Sequence, residues 1–150
     1  MKETPDMDAF FEAYADAWAS NDPVAIGAHW DPERAPLYQA EEKDEPFTSW
    51  AALDDYWAAN AEFHDSVRLQ FSDPRVQPLA DGLCQVLVQM RWDIRFTSGA
   101  SRAMGGSNRV LATLVKRQDG WRLCGWVEAP LAPITYLRRL YEQSAASDLR

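Results

Sequence analysis

The sequence predicts an α+β fold in which helices from the N-terminal part of the chain pack against a curved antiparallel sheet. The first supporting observation is the spacing of apolar residues, which is helical before about residue 60 and has a period of two beyond it. The second is that turn residues, with no helical segment, separate the later strands. At 150 residues and 47% hydrophobic content, the chain can bury one substantial core, so we expect one domain over residues 1–150.

Two helices open the chain. Apolar residues from Met7 to Trp18 fall at helical spacing, and Thr4-Pro5 supplies an N-cap and a first-turn proline. The segment Asn21-Asp22-Pro23 ends this helix and begins a shorter one, which we expect to reach about Trp30.

A third and a fourth helix are predicted before and after the sheet. The third begins at Ser49 as its N-cap, and the fourth spans about 133–146, opened by a proline. A short extended segment at 37–40 leads into the acidic stretch Glu41–Glu45, which we interpret as a solvated loop. The apolar side of the third helix carries Trp50, Leu53, Tyr56 and Trp57.

The sheet is predicted to be a meander of long strands. The segment Ser66–Phe71 alternates apolar and polar residues until Asp73-Pro74 breaks it, and Leu83–Phe96 is the clearest alternating run. A loop containing Gly99, Gly105 and Gly106 follows. The remaining strands are expected over about 107–117 and 121–128, joined by a hairpin turn at Asp119-Gly120.

Composition argues against several functional classes. The formal net charge of -8 disfavours nucleic-acid binding, which needs clustered positive charge. The sequence has no apolar run near the roughly 20 residues that span a bilayer, and its first residues are acidic where a signal peptide would be basic, so we expect no membrane association and a cytoplasmic location. Metal-ligand spacing is absent around Cys84, Cys124, His29 and His64, so we expect neither a metal nor another cofactor.

Three short segments carry a family resemblance: Tyr14–Asp22, Trp50–Leu53 and Asp119–Leu123. With the order of helices and strands, they resemble the nuclear transport factor 2-like superfamily, which includes SnoaL-like polyketide cyclases, ketosteroid isomerases, scytalone dehydratase and limonene epoxide hydrolase. The resemblance implies a cone-shaped domain, in which the curved sheet wraps around three N-terminal helices and a C-terminal helix is added. It also implies a pocket between sheet and helices for a small, largely apolar ligand.

Ketosteroid isomerases match this sequence only in part. Tyr14 resembles the tyrosine that donates to the oxyanion in those enzymes. Their general-base aspartate falls near Ala40, and the protonated aspartic acid that is their second donor falls near Thr113. We therefore do not expect steroid isomerisation by that mechanism.

The local match to limonene epoxide hydrolase is better. Its Arg-x-Asp motif resembles Arg91-Trp92-Asp93, its Gly-Trp-x-Asp motif resembles Gly125–Glu128, and its Tyr-x-Asn segment resembles Tyr38-Gln39-Ala40, where alanine replaces the asparagine. The resemblance implies that Asp93 and Glu128 are paired acid and base carboxylates with Arg91 between them. Tyr14 and Tyr38 would supply hydroxyl donors. The pocket would be lined by Trp18, Trp57, Thr113, Trp126, Leu137 and Tyr141.

The alternation of the long strand leaves open which face of the sheet is inside. If Trp126 and Glu128 point into the pocket, we expect antiparallel pairing to place Arg91 and Asp93 there as well. The apolar face, which carries Val86, Val88, Met90, Trp92 and Ile94, would then be buried in a homodimer through the outer side of the sheet, and we favour this arrangement. The alternative is that the polar face is an ordinary solvent-exposed surface.

The sequence therefore predicts a protein that binds a small, largely apolar metabolite and acts on it by cofactor-free acid/base chemistry, of the isomerase, cyclase, dehydratase or epoxide-hydrolase type. On this hypothesis, Asp93→Asn abolishes turnover. The alternative is a noncatalytic module for dimerisation or partner docking, in which aromatic residues such as Tyr14 and Trp18 fill the pocket as part of the core.

Overall fold

The computed structural model describes residues 6–98, 102–131 and 134–149, and it confirms the α+β fold. The helices are α1 Asp8–Ala19, α2 Pro23–Gly27, α3 Trp50–Phe63 and α4 Ile134–Ser144, and a 3-10 turn follows at Ser147–Leu149. The strands are β1 Leu37–Gln39, β2 His64–Ala80, β3 Leu83–Phe96, β4 Met104–Arg117 and β5 Gly120–Pro130. Among the described helices, none has the length and apolar character needed to cross a membrane.

Side-chain caps set the first residues of two helices. The Asp22 side chain accepts a hydrogen bond from Val24 N at 2.9 Å, and Ser49 Oγ accepts one from Ala52 N at 3.3 Å. Each bond satisfies a backbone donor that the first helical turn leaves unpaired, so α2 and α3 begin where predicted. The predicted caps at Thr4-Pro5 and Pro133 lie outside the described residues.

Helix α2 ends at Gly27, before the predicted Trp30. The α-helical bonds give way to i→i−3 bonds, since His29 N donates to Ile26 O and Trp30 N donates to Gly27 O, and the backbone then joins the sheet. Asp31 N donates to Leu123 O, and Leu123 N donates to His29 O, both at 2.8 Å. These groups pair with β5 and so cannot continue the helical ladder. Trp30 is thereby fixed in the core, where it is 2% exposed.

The sheet has the strand order β1-β5-β4-β3-β2. Neighbouring strands are antiparallel, except that β1 runs parallel to β5. The predicted break at Asp73-Pro74 is wrong, since β2 continues to Ala80 through a register irregularity between Ser72 and Arg75. Asp73 has φ 53°, so the strand absorbs the turn residues as a bulge.

Strand β4 begins at Met104, so Gly105 and Gly106 lie in the sheet and not in the predicted loop. Gly106 pairs with Trp92, and a Cβ atom there would lie 2.8 Å from Cζ2 of that indole. The glycine therefore gives the Trp92 side chain room to lie flat on the neighbouring strand.

The helices cover the sheet face that carries Val86, Val88 and Met90, which are at most 5% exposed, and we call it the inner face. Phe11 of α1 packs on it, with its ring centroid 5.0 Å from that of Phe71. The opposite, outer face carries the polar residues of β3, including Arg91. The sequence argument for a homodimer is thus wrong, because this chain's own helices cover the apolar face. The homodimer itself stays a prediction.

Candidate active site

A cavity of about 510 Å³ lies between the inner face and the helices. Its apolar wall comes mainly from β2 and β3, and consists of Val67, Leu69, Met90, Trp92, Ile94 and Phe96. Its acidic end lies beside β1, β4 and β5, and consists of Glu41, Glu42, Asn108 and Glu128. Most of the remaining surface is aromatic, including Trp18, Tyr38, Tyr56 and Trp126.

Glu128 is the carboxylate most enclosed by hydrogen-bond donors at the acidic end. Its Oε1 accepts from Trp126 Nε1 at 2.9 Å and from the Tyr38 hydroxyl at 3.5 Å. Its Oε2 accepts from the backbone N of Glu41 at 3.1 Å and from Asn108 Nδ2 at 3.5 Å. The donors come from β1, the segment after it, β4 and β5, so the fold holds this carboxylate in one orientation.

The surroundings of Glu128 change its acidity. Burial raises its pKa from 4.5 to about 6, and the charges of Glu42 and Glu41 act in the same direction. The hydrogen bonds from Trp126 and from the Glu41 backbone oppose this rise without cancelling it. A carboxylate with a pKa near 6 is largely ionised at pH 7 and can also hold a proton, which suits a general base.

Two tyrosines supply hydroxyl groups at the same end. Burial raises the pKa of Tyr38, and nearby Glu128 raises it further, so the phenol stays protonated and can donate. Its ring stacks on Trp126, with centroids 6.5 Å apart and an interplanar angle of 8°. Burial likewise raises the pKa of Tyr56, whose hydroxyl donates to Glu42 Oε1 at 2.5 Å.

Arg91 and Asp93 lie on the outer face, away from Glu128. They form an ion pair of 2.8 Å between Arg91 Nη2 and Asp93 Oδ1, and their side chains are 48% and 42% exposed. The expected convergence is therefore wrong. In the observed register Glu128 lies opposite Val110, and Val110 lies opposite Val88. Directly paired residues share a face, so Glu128 lies on the side of Val88, and the odd-numbered Arg91 and Asp93 lie on the other.

Tyr14 is wholly buried in α1 and does not line the cavity. Its hydroxyl accepts a hydrogen bond from Trp30 Nε1 at 3.1 Å, and its ring centroid is 5.3 Å from that of Trp126. Burial raises the pKa of Tyr14, so it remains a neutral phenol. Tyr14 thus packs behind Trp126, whereas Trp18 and Trp126 themselves line the cavity.

Four other residues expected at the pocket lie elsewhere. Trp57 is 1% exposed and packs behind the cavity, with its ring centroid 6.1 Å from that of Tyr38. Thr113 belongs to the outer face, where it lies beneath Gly125. Leu137 of α4 is half-buried and Tyr141 is exposed, and neither lines the cavity.

Sequence analysis missed several polar residues that do line the cavity. Asn108 is 1% exposed and shares the inner face with Val110, Ala112 and Leu114. An amide such as Asn108 on the apolar side of an alternating strand indicates a buried polar site, and this pattern is visible in the sequence. The sequence predicts a solvated loop for Glu41 and Glu42, because nothing in this charged stretch indicates that the segment folds over Glu128.

His64 also lines the cavity, at the start of β2, three strands away from β5. Burial lowers the pKa of this imidazole, and its Nδ1 is buried with no partner among the described residues. The other histidine, His29, packs between the rings of Phe10 and Tyr14. No group of three or more His, Cys, Asp or Glu side chains in the described part of the chain is arranged to hold a metal ion.

The sequence matches a known family. A family model described as a SnoaL-like domain matches residues 7–133. The chain belongs to the SnoaL-like family. A search of curated proteins finds no match for this SnoaL-like protein.

Solved structures show the same fold at low sequence identity. A nuclear transport factor 2-like superfamily protein from Salmonella enterica has a TM-score of 0.72 at 10% identity, over 85% of this chain and 89% of that one. A candidate scytalone dehydratase from Novosphingobium aromaticivorans has a TM-score of 0.75 at 12% identity, over 84% and 82%. A candidate dehydratase of the same superfamily from Streptomyces avermitilis has a TM-score of 0.68 at 13% identity, over 82% and 91%. At these identities the likeness establishes the nuclear transport factor 2-like fold of this SnoaL-like protein, and not its chemistry.

Proposed function

We propose that this SnoaL-like protein binds a small, largely apolar metabolite in the cavity and acts on it by cofactor-free acid/base chemistry. The observation that carries the proposal is Glu128, a half-buried carboxylate with a pKa of about 6 that lines an apolar cavity. The reaction class is proton transfer at the ligand, as in isomerases, cyclases and dehydratases. The similarity to candidate dehydratases supports this class as a precedent of the fold.

Each residue of the site has a separate role in this proposal. Glu128 abstracts a proton from the ligand. The Tyr38 hydroxyl, which donates to Glu128 Oε1 at 3.5 Å in the structure, turns to donate to a ligand oxygen on which negative charge develops. The apolar wall excludes water, which strengthens both interactions. Arg91 and Asp93 have no role in the reaction, because they face away from the cavity.

Hydrogen exchange at carbon in simple ketones tests whether Glu128 acts as a base. A panel of cyclic ketones and hydroxyketones is incubated with the protein in D₂O at pH 7.5, and deuterium incorporation is followed by NMR. We expect at least one compound to exchange about 100-fold faster with the wild type than with Glu128→Gln, the usual range for loss of a general base. Asp93→Asn is the matched control, which removes one carboxylate charge on the outer face.

Two results would contradict the assignment. If Glu128→Gln exchanges a responsive ketone as fast as the wild type does, Glu128 is not the base. If Asp93→Asn abolishes exchange, the reaction depends on Asp93. That result would support the site of Arg91, Asp93 and Glu128 implied by the resemblance to limonene epoxide hydrolase, and would contradict the observed strand register. Circular dichroism of both variants verifies that the fold is retained.

We also propose a homodimer, which is favoured by exposed apolar residues on the outer face. Leu87, Leu111 and Val127 form an apolar row across β3, β4 and β5 on the outer face, and they are 45%, 39% and 39% exposed. The row is the part of the outer face whose burial in a subunit contact would remove apolar surface from water. The noncatalytic docking module remains the alternative function, and the cytoplasmic location remains a prediction.

A further inference from the structure

The acidic end of the cavity offers more hydrogen-bond acceptors than donors. Four donors of that region point at its carboxylates in the structure: Trp126 Nε1, the Tyr38 hydroxyl and Asn108 Nδ2 point at Glu128, and the Tyr56 hydroxyl points at Glu42. The carboxylate oxygens of Glu41, Glu42 and Glu128 have capacity for further donors. A ligand that complements this end must therefore bring N–H or O–H groups.

Asn108 gives an independent reason to expect a donor. The residue is 1% exposed, and its Oδ1 is buried with no hydrogen-bond partner among the described residues. Its Nδ2 lies 3.5 Å from Glu128 Oε2, and both polar atoms belong to one amide, so Oδ1 is at the same end of the cavity. A buried acceptor left without a partner destabilises the protein, and a ligand N–H removes that penalty.

The charge at this end is negative and is not balanced by the cavity itself. None of the described residues that line the cavity is Lys or Arg. Burial raises the pKa of Glu41, and the charge of Glu42 raises it further, while a hydrogen bond from Asn108 lowers it. Lys43 approaches from outside, with Nζ 5.7 Å from the centroid of the Tyr56 ring. The unbalanced carboxylates therefore favour a cationic group on the ligand.

The cation is more compatible with an organic ammonium than with a metal ion. Among the described residues, no group of three or more His, Cys, Asp or Glu side chains could hold a metal ion. The surroundings are instead aromatic, with Tyr38 stacked on Trp126 and Phe47 stacked on Tyr56. Aromatic faces attract ammonium groups and tolerate the apolar carbon atoms attached to them.

We propose that the ligand is an apolar ring compound carrying one protonated amine, with its nitrogen at the acidic end and its ring on the apolar wall. An ammonium group supplies up to three donors, which serve Asn108 Oδ1 and the carboxylates of Glu42 and Glu128. The net charge of -8 on the whole chain adds a long-range attraction for such a ligand. This inference rests on the proposed function, since it requires that the cavity hold a ligand.

Three probes of similar shape and different charge test whether the cavity prefers a cationic ligand. Calorimetric titration at pH 7.5 compares 1-naphthylmethylamine, 1-naphthalenemethanol and 1-naphthoate. We expect the amine to bind about tenfold more tightly than the alcohol, the value of one charge-assisted hydrogen bond, and the carboxylate not to bind. Equal affinity for amine and alcohol overturns the amine inference and leaves the cavity proposal intact. Failure of all three, together with a wider panel of lipophilic compounds, counts instead against the proposed function.

A matched pair of variants tests whether the preference for the amine over the alcohol arises at the acidic end of the cavity. Glu42→Gln keeps the shape of a cavity-lining side chain and removes its charge, whereas Glu45→Gln removes the same charge from an exposed residue of the same loop that does not line the cavity. We expect Glu42→Gln to lose most of the preference for the amine over the alcohol, and Glu45→Gln to retain it. An equal loss in both variants would mean that general negative charge, and not this site, attracts the amine.

Discussion

Glu128 shows how position, and not residue type, decides the chemistry of a carboxyl group. The chain contains 23 acidic residues, and Asp93 was as good a candidate as Glu128 from its motif. In the structure Asp93 pairs with Arg91 in contact with solvent, whereas Glu128 lies against Trp126 and Tyr38. Burial raises the pKa of Glu128 to about 6 despite the hydrogen bond from Trp126, and a pKa in this range suits a general base at neutral pH.

The raised pKa of Glu128 predicts a dependence of stability on pH. The Glu128 carboxyl binds its proton more tightly in the folded state than in the unfolded state. Protonation of Glu128 therefore stabilises the fold fully below pH 4.5, and this stabilisation is lost as pH rises through about 6. At about 1.4 kcal/mol per pKa unit, the shift corresponds to a decrease of about 2 kcal/mol in the free energy of unfolding. Glu128→Gln cannot titrate and lacks this contribution.

Urea unfolding at intervals from pH 4.5 to 7.5 measures the difference between wild type and Glu128→Gln. We expect the wild type to lose stability relative to the variant across this interval, with most of the loss between pH 4.5 and 6. A difference that is constant with pH would show that the carboxyl group has an ordinary pKa.

An ion pair between the buried Asp31 and the partly exposed Arg117 attaches the segment after α2 to the sheet. Asp31, after α2, is 1% exposed and accepts from Arg117 of β4 through two bonds, Nη2 to Oδ2 at 2.6 Å and Nε to Oδ1 at 3.2 Å. Burial alone would raise the pKa of Asp31, but the hydrogen bond and charge of Arg117 outweigh it and lower the pKa. The pair attaches the segment that positions Trp30 to the sheet.

Removal of Arg117 is therefore expected to destabilise the fold. Arg117→Gln leaves the Asp31 carboxylate buried without its main partner, and we expect a loss of about 3 kcal/mol in the free energy of unfolding, since Arg117 is partly exposed and Arg34 can compensate in part. Arg122→Gln is the matched control, because Arg122 pairs with the exposed Asp119 and such pairs contribute at most about 1 kcal/mol. Equal losses in urea unfolding would contradict a special role for the buried pair.

At the scale of the whole molecule, the sheet separates two surfaces with different tasks. The inner face, the helices and the segment after β1 enclose the cavity, whereas the outer face carries the exposed apolar row Leu87, Leu111 and Val127. Covering this row with a second copy would remove apolar surface from water without changing the cavity. The dimer and the site are therefore separable by mutation.

Leu111→Glu tests the proposed homodimer. We expect light scattering after gel filtration to give the wild type twice the chain mass of 17.0 kDa and the variant the mass of a single chain. The charge placed in the centre of the row would have to be buried without a partner in the dimer. Gln77→Glu adds the same charge to exposed β2 and should leave the mass of the dimer unchanged. A wild type that is monomeric at micromolar concentration would sink the proposal.

Local signals predicted the elements well. Ser49 and Asp22 identified the first turns of α3 and α2, and alternation identified β3 with its observed ends Leu83 and Phe96. Errors occurred where tertiary contacts overrode such signals, as at Asp73-Pro74, where pairing with β3 carries β2 through a turn sequence. The site was predicted less well, since Glu128, Tyr38, Trp18 and Trp126 line the cavity but Arg91, Asp93 and Tyr14 do not.

The order of helices and strands, the two chemically different faces of β3 and the negative net charge are already contained in the amino-acid sequence. Which face lies inside depends on the folded chain, because alternation is the same for either orientation and the strand register selects between them. Folding also brings Glu41 to Glu128, 87 positions away along the chain, and places both beside Asn108. A carboxylate's pKa depends on such distant neighbours and on the water that they exclude, so no local pattern contains it.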